Sequence, residues 1–232
     1  MAGAAAPHRP DEGSGAPPCH PGPGHSARLP GVEIDTGSGP ARVELDKPRK
    51  PAFLLVLTHG AGGGVDSADL LAARAAGREL GGAVARVLQP YRVRGAAAPG
   101  SPVRQDAAWL EIIEALRRKV PRVPLVQGGR SNGARVACRT AQAAGARAVV
   151  ALAFPLHPPG RPERSRAAEL RAAGTAVLVV NGAQDPFGIP DSADASRVVV
   201  LPGETHALSK QPESIRNTVE SWLREVLDLD GN

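Results

Sequence analysis

The sequence predicts an α/β fold in which a mostly parallel sheet is flanked by helices. Unbroken apolar runs of five to six residues, such as 53–57 and 176–180, alternate along the chain with longer segments whose apolar residues recur at helical spacing. Such runs are typical of strands that are covered on both faces, and their alternation with helices is typical of a parallel sheet. At 232 residues the chain is long enough to bury one substantial core.

The first thirty residues differ in composition from the rest. They hold seven Pro and five Gly, are also rich in Ala, and contain almost no large apolar side chain, so they cannot bury enough surface to offset the entropy of ordering. Cys19 and three histidines lie in this segment without regular ligand spacing, and we expect no metal site there. The sequence therefore predicts a disordered tail at residues 1–30 and a single domain at 31–229.

The elements of the predicted domain follow from its hydrophobic periodicity. Val32 and Ile34, and then Val43 and Leu45, alternate with polar residues on either side of a Gly/Pro turn, which predicts an antiparallel strand pair. Apolar runs predict further strands at 53–57, 84–88, 123–126, 149–154, 176–180 and 198–201. Helical spacing predicts helices at 70–80, 109–120, 135–144, 164–173 and 215–226.

The sharpest local motif is Gly129-Arg130-Ser131-Asn132-Gly133, which stands directly after one predicted strand and before a helix. This is G-x-S-x-G in the context that a nucleophile elbow requires, where glycines flank the serine because side chains there would collide with the neighbouring strand and helix. A serine hydroxyl is a poor nucleophile near neutral pH, so it needs a general base, and the base needs an acid that orients it. The motif therefore predicts a histidine and an acid later in the chain.

Asp185 and His206 follow the next strands in the required order. Asp185 comes after the run 176–180, and His206 comes after the run 198–201. The carboxyl ends of parallel strands meet at one edge of a sheet, which is where open α/β sheets bind ligands. We therefore expect Ser131, His206 and Asp185 to form a catalytic triad.

The glycine-rich segment His59-Gly60-Ala61-Gly62-Gly63-Gly64 follows the strand at 53–57. Backbone N–H groups must stabilise the oxyanion that forms when a carbonyl is attacked, and we assign this role to Ala61 and Asn132, with Gly62 beside them. A phosphate-binding loop is the alternative for the glycines. It is disfavoured because G-x-x-x-x-G-K-[ST] is absent and no Lys lies nearby.

These motifs, together with the stretch 154–160, resemble the α/β-hydrolase superfamily. Within it they are similar to the bacterial hydrolase-like proteins grouped with testis-expressed protein 30 and NSL complex subunit 3, and distantly to dienelactone hydrolases. The resemblance spans about residues 50–228 and implies the α/β-hydrolase fold with Ser131, Asp185 and His206 as the triad. It implies no substrate, and members of the group that act in a chromatin complex leave open a non-catalytic role. Dienelactone hydrolases use a cysteine nucleophile where this chain has serine.

Other polar residues have candidate roles near the predicted site. Arg130 and His157 are candidates for lining the substrate site, and Arg130 could equally pair with a surface acid. A backbone hydrogen bond within its loop is the favoured role for His59. Glu204 is expected to face solvent, and Cys138 is expected to pack inside a helix.

The sequence thus predicts a serine hydrolase that works by acyl transfer on a small or exposed ester or thioester, without a cofactor. The span between 154 and 175 is too short for a substantial cap domain, so we expect an open site. The alternatives are a catalytically weak or inactive scaffold for an unknown protein partner, and a transferase that uses the same nucleophile.

Composition and charge argue against a nucleic-acid-binding protein and against a membrane protein. The net charge of +5 comes from scattered arginines without interleaved aromatics, so we expect no nucleic-acid partner. We also expect no membrane association and a cytoplasmic location, because the sequence has neither a long apolar run nor a signal peptide.

Overall fold

The computed structural model describes residues 1–3 and 31–230, so nearly all of the predicted tail lies outside the described residues. The division into a tail and one domain stays a prediction. In the described part of the chain, the strands are β1 (Val32–Ile34), β2 (Ala41–Asp46), β3 (Leu54–Thr58), β4 (Ala83–Leu88), β5 (Leu125–Arg130), β6 (Ala148–Leu152), β7 (Ala176–Gly182) and β8 (Arg197–Leu201). The helices are α1 (Ala68–Glu79), α2 (Pro90–Val93), α3 (Pro102–Lys119), α4 (Asn132–Ala144), α5 (Ala167–Arg171) and α6 (Pro212–Val226).

All eight strands form one sheet, in the order β1-β2-β4-β3-β5-β6-β7-β8. The strands from β4 to β8 pair in parallel, whereas β1 and β2 pair with each other, and β2 pairs with β4, in antiparallel fashion. The predicted α/β class, its mostly parallel sheet and the antiparallel pair near the start of the domain are therefore confirmed.

Helices cover both faces of the sheet because successive side chains of a strand point to opposite sides. Leu55 and Leu57 of β3 pack with apolar residues of α1 and α6, including Trp222. Leu54 and Val56 of the same strand pack instead against the apolar side of α3. A third cluster lies between α4, α5 and the strands β6 and β7. The central strands are thus buried on both faces, as their unbroken apolar runs predicted.

Two elements are shorter in the structure than the sequence predicted. The strand predicted at 149–154 ends at Leu152, since Ala153 adopts a positive φ of 46° and the Phe154 N–H bonds to the Asn181 side chain. The helix predicted at 164–173 is reduced to α5. Its first residues belong to a loop, because the Arg166 N–H donates to the Leu156 carbonyl and the Arg166 guanidinium donates to the Pro155 carbonyl.

The connection from β6 to β7 decides how open the sheet edge is. It contains only residues 153–175, with α5 as its one helix, so no cap domain covers the carboxyl ends of the strands, as predicted. Among the described residues no helix is both long and apolar enough to cross a membrane.

Candidate active site

The backbone at Ser131 is strained. This residue connects β5 to α4 with φ 53° and ψ −114°, a conformation that residues other than glycine rarely adopt. A Cβ on Gly129 or on Gly133 would lie 2.6 Å from the Thr58 carbonyl oxygen, so both flanking positions must be glycine. The G-x-S-x-G spacing therefore reflects close packing of the elbow against β3.

His206 lies within hydrogen-bonding distance of Ser131 on one side and of Asp185 on the other. The Ser131 Oγ is 2.9 Å from Nε2 of His206, and Nδ1 of the same ring is 2.8 Å from Oδ2 of Asp185. Because a carboxylate only accepts, Nδ1 carries the proton of the second bond. The structure thus brings together three side chains that are separated by as many as 75 residues.

The Asp185 carboxylate is held by more than the imidazole. Its side chain is fully buried, Oδ1 accepts the Phe187 N–H at 2.9 Å, and Oδ2 is 3.3 Å from the Asn181 amide nitrogen. Each donor occupies a lone pair of the carboxylate and limits how the group can rotate. The carboxylate is therefore fixed in the orientation that receives His206.

Asn181 links the acid to the neighbouring strand. Its buried amide accepts the Phe154 N–H and donates to the Phe154 carbonyl, besides approaching Asp185 and the Gly188 carbonyl. Sequence analysis did not single out this residue. One feature of the sequence could have revealed it: Asn181 directly follows the apolar run of a buried strand. An amide that is buried there needs several hydrogen-bond partners.

Two rings lie near the imidazole and the acid. The Phe187 ring packs on His206 with a centroid distance of 4.2 Å, and this apolar contact on the imidazole was not predicted either. His157 lies against the loop that follows Asp185, since its Nε2 would be 2.5 Å from a Cβ on Gly188. Its Nδ1 is 2.9 Å from the Pro158 carbonyl.

His59 has a neutral, fixed ring at the start of the glycine-rich loop. Its Nε2 accepts the Gln89 backbone N–H, so Nδ1 carries the proton and donates to the Gly60 carbonyl at 2.7 Å. Burial lowers the pKa of His59 to about 4, which outweighs the opposing effect of the Gly60 hydrogen bond. These contacts agree with the structural role favoured from the sequence.

Two residues of α2 hold the rest of the glycine-rich loop by hydrogen bonds. The Tyr91 hydroxyl donates to the Ala61 carbonyl at 2.9 Å, and the Arg92 Nε donates to the Gly63 carbonyl at 3.0 Å. The Ala61 N–H bonds to no other described residue. Asn132 is the first residue of α4, where backbone N–H groups have no partner within the helix. Both amides predicted for the oxyanion are thus available as donors.

Arg130 directly precedes Ser131, and its guanidinium contacts two groups, the His206 carbonyl and the buried Asp69 carboxylate. Its Nη2 donates to the His206 carbonyl at 2.8 Å, and its Nε lies 3.1 Å from Oδ2 of Asp69 on α1. The second contact is an ion pair without an aligned hydrogen bond. Burial raises the pKa of Asp69, and the charge of Arg130 opposes that rise. The guanidinium also borders a cavity of about 300 Å³ that Gly60 and Gly63 line.

The expectation that Glu204 faces solvent is wrong. This carboxylate is fully buried and accepts three backbone N–H groups, from Ser209, Lys210 and Gln211. These donors lie just before α6, where unpaired N–H groups need an acceptor. Glu204 thereby fixes the loop that follows His206.

Cys138 packs inside α4, as predicted. Its side chain is fully buried, and burial raises the pKa of the thiol to about 12. A thiol with such a pKa is not a nucleophile at neutral pH.

Comparison with known proteins places this architecture in a family. The profile of the family described as "Alpha/beta hydrolase domain" matches residues 51–225. The chain belongs to that family. The match covers every strand from β3 onward, together with the glycine-rich loop, the elbow and the segments of Asp185 and His206. No curated protein matched this alpha/beta hydrolase.

Solved structures share its fold at low sequence identity. An alpha-beta serine hydrolase homologue from Coxiella burnetii has a TM-score of 0.70 and 17% identity, over 83% of this chain and 96% of that one. The ferulic acid complex of Est1E from Butyrivibrio proteoclasticus has a TM-score of 0.69 and 17% identity, over 85% and 99%. XC6422 of Xanthomonas campestris, a serine hydrolase without a lid, has a TM-score of 0.64 and 21% identity, over 88% and 97%.

Proposed function

We propose that this alpha/beta hydrolase is a serine hydrolase that cleaves a small or exposed ester or thioester by acyl transfer. The observation that carries the proposal is the continuous series of contacts from Asp185 through His206 to Ser131, with both distances below 3 Å. The strained backbone at the serine supports it further, because strain of this kind persists where the surrounding structure enforces it and is concentrated at functional sites.

Each residue has one step in the proposed reaction. Nε2 of His206 accepts the Ser131 proton as Oγ bonds to the substrate carbonyl carbon, and Asp185 stabilises the imidazolium that forms. The imidazolium then gives its proton to the leaving oxygen or sulfur, which departs and leaves an acyl-enzyme. Water attacks that ester with His206 again as the base, the acyl–Oγ bond breaks to release the carboxylic acid, and the proton returns from His206 to Ser131. The cycle balances without a cofactor.

The oxyanion of each tetrahedral intermediate is assigned to the N–H groups of Ala61 and Asn132. Support comes from the fixed loop, because Tyr91 holds the Ala61 carbonyl and His59 holds the residue before it. Donors that are already oriented need no reorganisation as charge develops. Gly62, Arg130 and His157 are assigned as lining residues of the substrate site.

The class of substrate is inferred from the uncovered sheet edge. A long acyl chain needs an apolar tunnel, which a cap domain commonly supplies, whereas a small ester binds in an open site. Two of the structural neighbours support this size class: XC6422 has no lid, and Est1E binds ferulic acid. A cytoplasmic location and the closer relationship to testis-expressed protein 30 remain predictions from the sequence.

The alternative function is an inactive scaffold for a protein partner, which would need no aligned base. The contacts of His206 and the buried carboxylate of Asp185 favour catalysis, since a buried acid with its donors in place is costly to retain without use. A transferase with an alcohol acceptor would use the same residues, so the product decides between hydrolysis and transfer.

A fluorophosphonate probe and a panel of short esters test the proposal. We expect the wild type to be labelled and Ser131→Ala to remain unlabelled. Turnover is expected to fall about 10³-fold or more in Ser131→Ala and His206→Ala, and less than additively when the two are combined. Asp185→Asn is expected to cost about as much because it favours the wrong tautomer. Unlabelled, inactive wild type would support the scaffold instead.

The pH dependence gives an independent test of the base. Protonated His206 cannot accept the seryl proton, so kcat/KM is expected to fall toward acid pH. Activity that depends on Ser131 yet stays constant from about pH 5 to 8 would exclude His206 as the base.

A further inference from the structure

A second pocket lies beside the glycine-rich loop, at the end of β4. Its volume is about 690 Å³, which is within the range of small-molecule sites. It is lined by α2, the segment that follows it up to residue 101, the first turns of α3 and the turn between β1 and β2. Alanines and prolines form much of its wall, and besides two serines its polar side chains are those of Gln89, Tyr91, Arg94, Arg104, Gln105 and Glu111.

This pocket shares a wall with the proposed oxyanion loop. Tyr91 lines the pocket and holds the Ala61 carbonyl, while Gln89 lines it and donates its backbone N–H to His59. On the adjoining side, the Ala97 carbonyl oxygen is 4.0 Å from the position of a Cβ on Gly62. A group bound in the pocket would therefore lie next to the loop that faces the reacting carbonyl.

The charges at the pocket rim favour an anion. Arg104 is exposed and has no hydrogen bond or ion pair with any described residue. Arg94 gives one of its five N–H donors to the Ser38 carbonyl and keeps the others. The single acid of the lining, Glu111, accepts the Gly37 N–H at 2.7 Å, so the lining carries two guanidinium charges against one carboxylate. Guanidinium groups with free donors match a carboxylate in bidentate geometry.

A buried amide adds a neutral hydrogen-bond acceptor to the pocket. Gln105 is 6% exposed and donates to the Gln89 side chain, which in turn donates to Thr58 Oγ1. These bonds fix the Gln105 amide, and its carbonyl oxygen accepts no bond from the described residues. The pocket thus combines a preorganised amide, apolar walls and cationic donors at the rim.

We propose that this pocket is a subsite that binds a carboxylate carried by the substrate, at the end remote from the scissile ester. The inference rests on the proposed function and narrows its substrate class to short esters with a free acid group. Arg104 and Arg94 hold the carboxylate, and the alanines and prolines contact the chain that joins it to the ester.

Pairs of acidic and neutral esters measure the preference of the enzyme for a substrate that carries a carboxylate. Monomethyl esters of succinate, glutarate, adipate and suberate place the acid on the acyl side, and acetyl esters of ω-hydroxy acids place it on the alcohol side. Each is compared with its neutral methyl ester. We expect a higher kcat/KM for the acidic member of at least one series, through a lower KM, and a preference that weakens with salt.

The variants separate the subsite from the catalytic residues. Arg104→Gln is expected to lower kcat/KM about tenfold for the preferred acidic ester and to leave its neutral partner unchanged. Arg118→Gln is the matched control, since Arg118 lies on the same helix outside this pocket. Arg94→Gln is expected to act in the same direction as Arg104→Gln.

Calorimetric titration with adipate and with glutarate tests binding without turnover. We expect Ser131→Ala to bind at least one of these dianions and Ser131→Ala/Arg104→Gln to bind it about tenfold more weakly. Binding without any esterase activity would keep the subsite and refute the proposed function. Esterase activity with no acidic preference, and with no effect of Arg104→Gln on binding, would overturn the subsite. Equal binding of inorganic phosphate would overturn its assignment to carboxylates.

Discussion

Arg130 donates a hydrogen bond from Nη2 to the backbone carbonyl of His206 over 2.8 Å. The two residues are 76 positions apart, and Arg130 directly precedes the serine that His206 contacts. Its Nε is anchored at the same time by the fully buried carboxylate of Asp69. The guanidinium therefore connects the elbow to the loop that carries the proposed base.

Arg130→Met is expected to lower kcat about tenfold or more with a smaller change in KM, because the His206 backbone loses its anchor to the elbow. The single variant also removes the cationic partner of buried Asp69, whose Oδ1 keeps the Leu70 N–H, and breaking a buried ion pair costs about 3–5 kcal/mol of unfolding free energy. Arg130→Met/Asp69→Leu removes that unpaired charge, so we expect its Tm to recover and its kcat to stay low. Recovery of both would show that Arg130 only neutralises Asp69.

Asn181→Ala is expected to reduce kcat about tenfold, because Asp185 loses a donor and the loop after it loses its tie to Phe154. Leaving the buried Phe154 groups unpaired is expected to cost about 1–3 kcal/mol of unfolding free energy. Steady-state kinetics and denaturant unfolding measure the two effects. The control is Asn217→Ala, an exposed position on α6. Unchanged kcat in a destabilised Asn181→Ala would restrict Asn181 to a structural role.

His59 is expected to make the folded state sensitive to acid. Its pKa is about 4 when folded, against an ordinary value of 6.5, so between these values the unfolded chain binds more protons. Stability linked to His59 is full above pH 6.5 and falls as the pH drops toward 4, by on the order of 3 kcal/mol. Urea unfolding across this window is expected to show a shallower pH dependence in His59→Gln than in the wild type. His157→Gln is the control, and an identical slope in His59→Gln would contradict the neutral, buried state.

Gly133→Ala is expected to destabilise the domain and reduce activity together. The added Cβ would lie 2.6 Å from the Thr58 carbonyl oxygen and 2.8 Å from that of His59, so the elbow and the glycine-rich loop must separate. We expect a loss of about 1–3 kcal/mol in unfolding free energy. Gly64→Ala is the stability control, because nothing lies within 4 Å of its added Cβ. Similar Tm values for the two variants would argue against the packing described.

Deletion of residues 1–30 is expected to leave the Tm and any esterase activity unchanged, since the composition of this segment gives it little to pack with. Thermal unfolding and ester hydrolysis of the shortened chain check this. A clear loss of either would show that the domain requires the segment.

The sequence determined the architecture and the order of the proposed triad. Unbroken apolar runs mark strands that are buried on both faces, and the two glycines of the elbow mark a turn with no room for side chains. These are local signals, readable within about ten residues. Parallel strands then bring Ser131, Asp185 and His206 to one edge, so their meeting follows from the fold class itself.

The tertiary structure alone decided which partners the remaining polar groups have. Glu204 is adjacent to Thr205 and two residues from His206, yet it is buried because three N–H groups before α6 need an acceptor. Arg130 pairs with buried Asp69 and not with a surface acid. Such choices depend on groups far apart in sequence and on the cost of leaving any of them unpaired after burial, which hydrophobic periodicity does not encode.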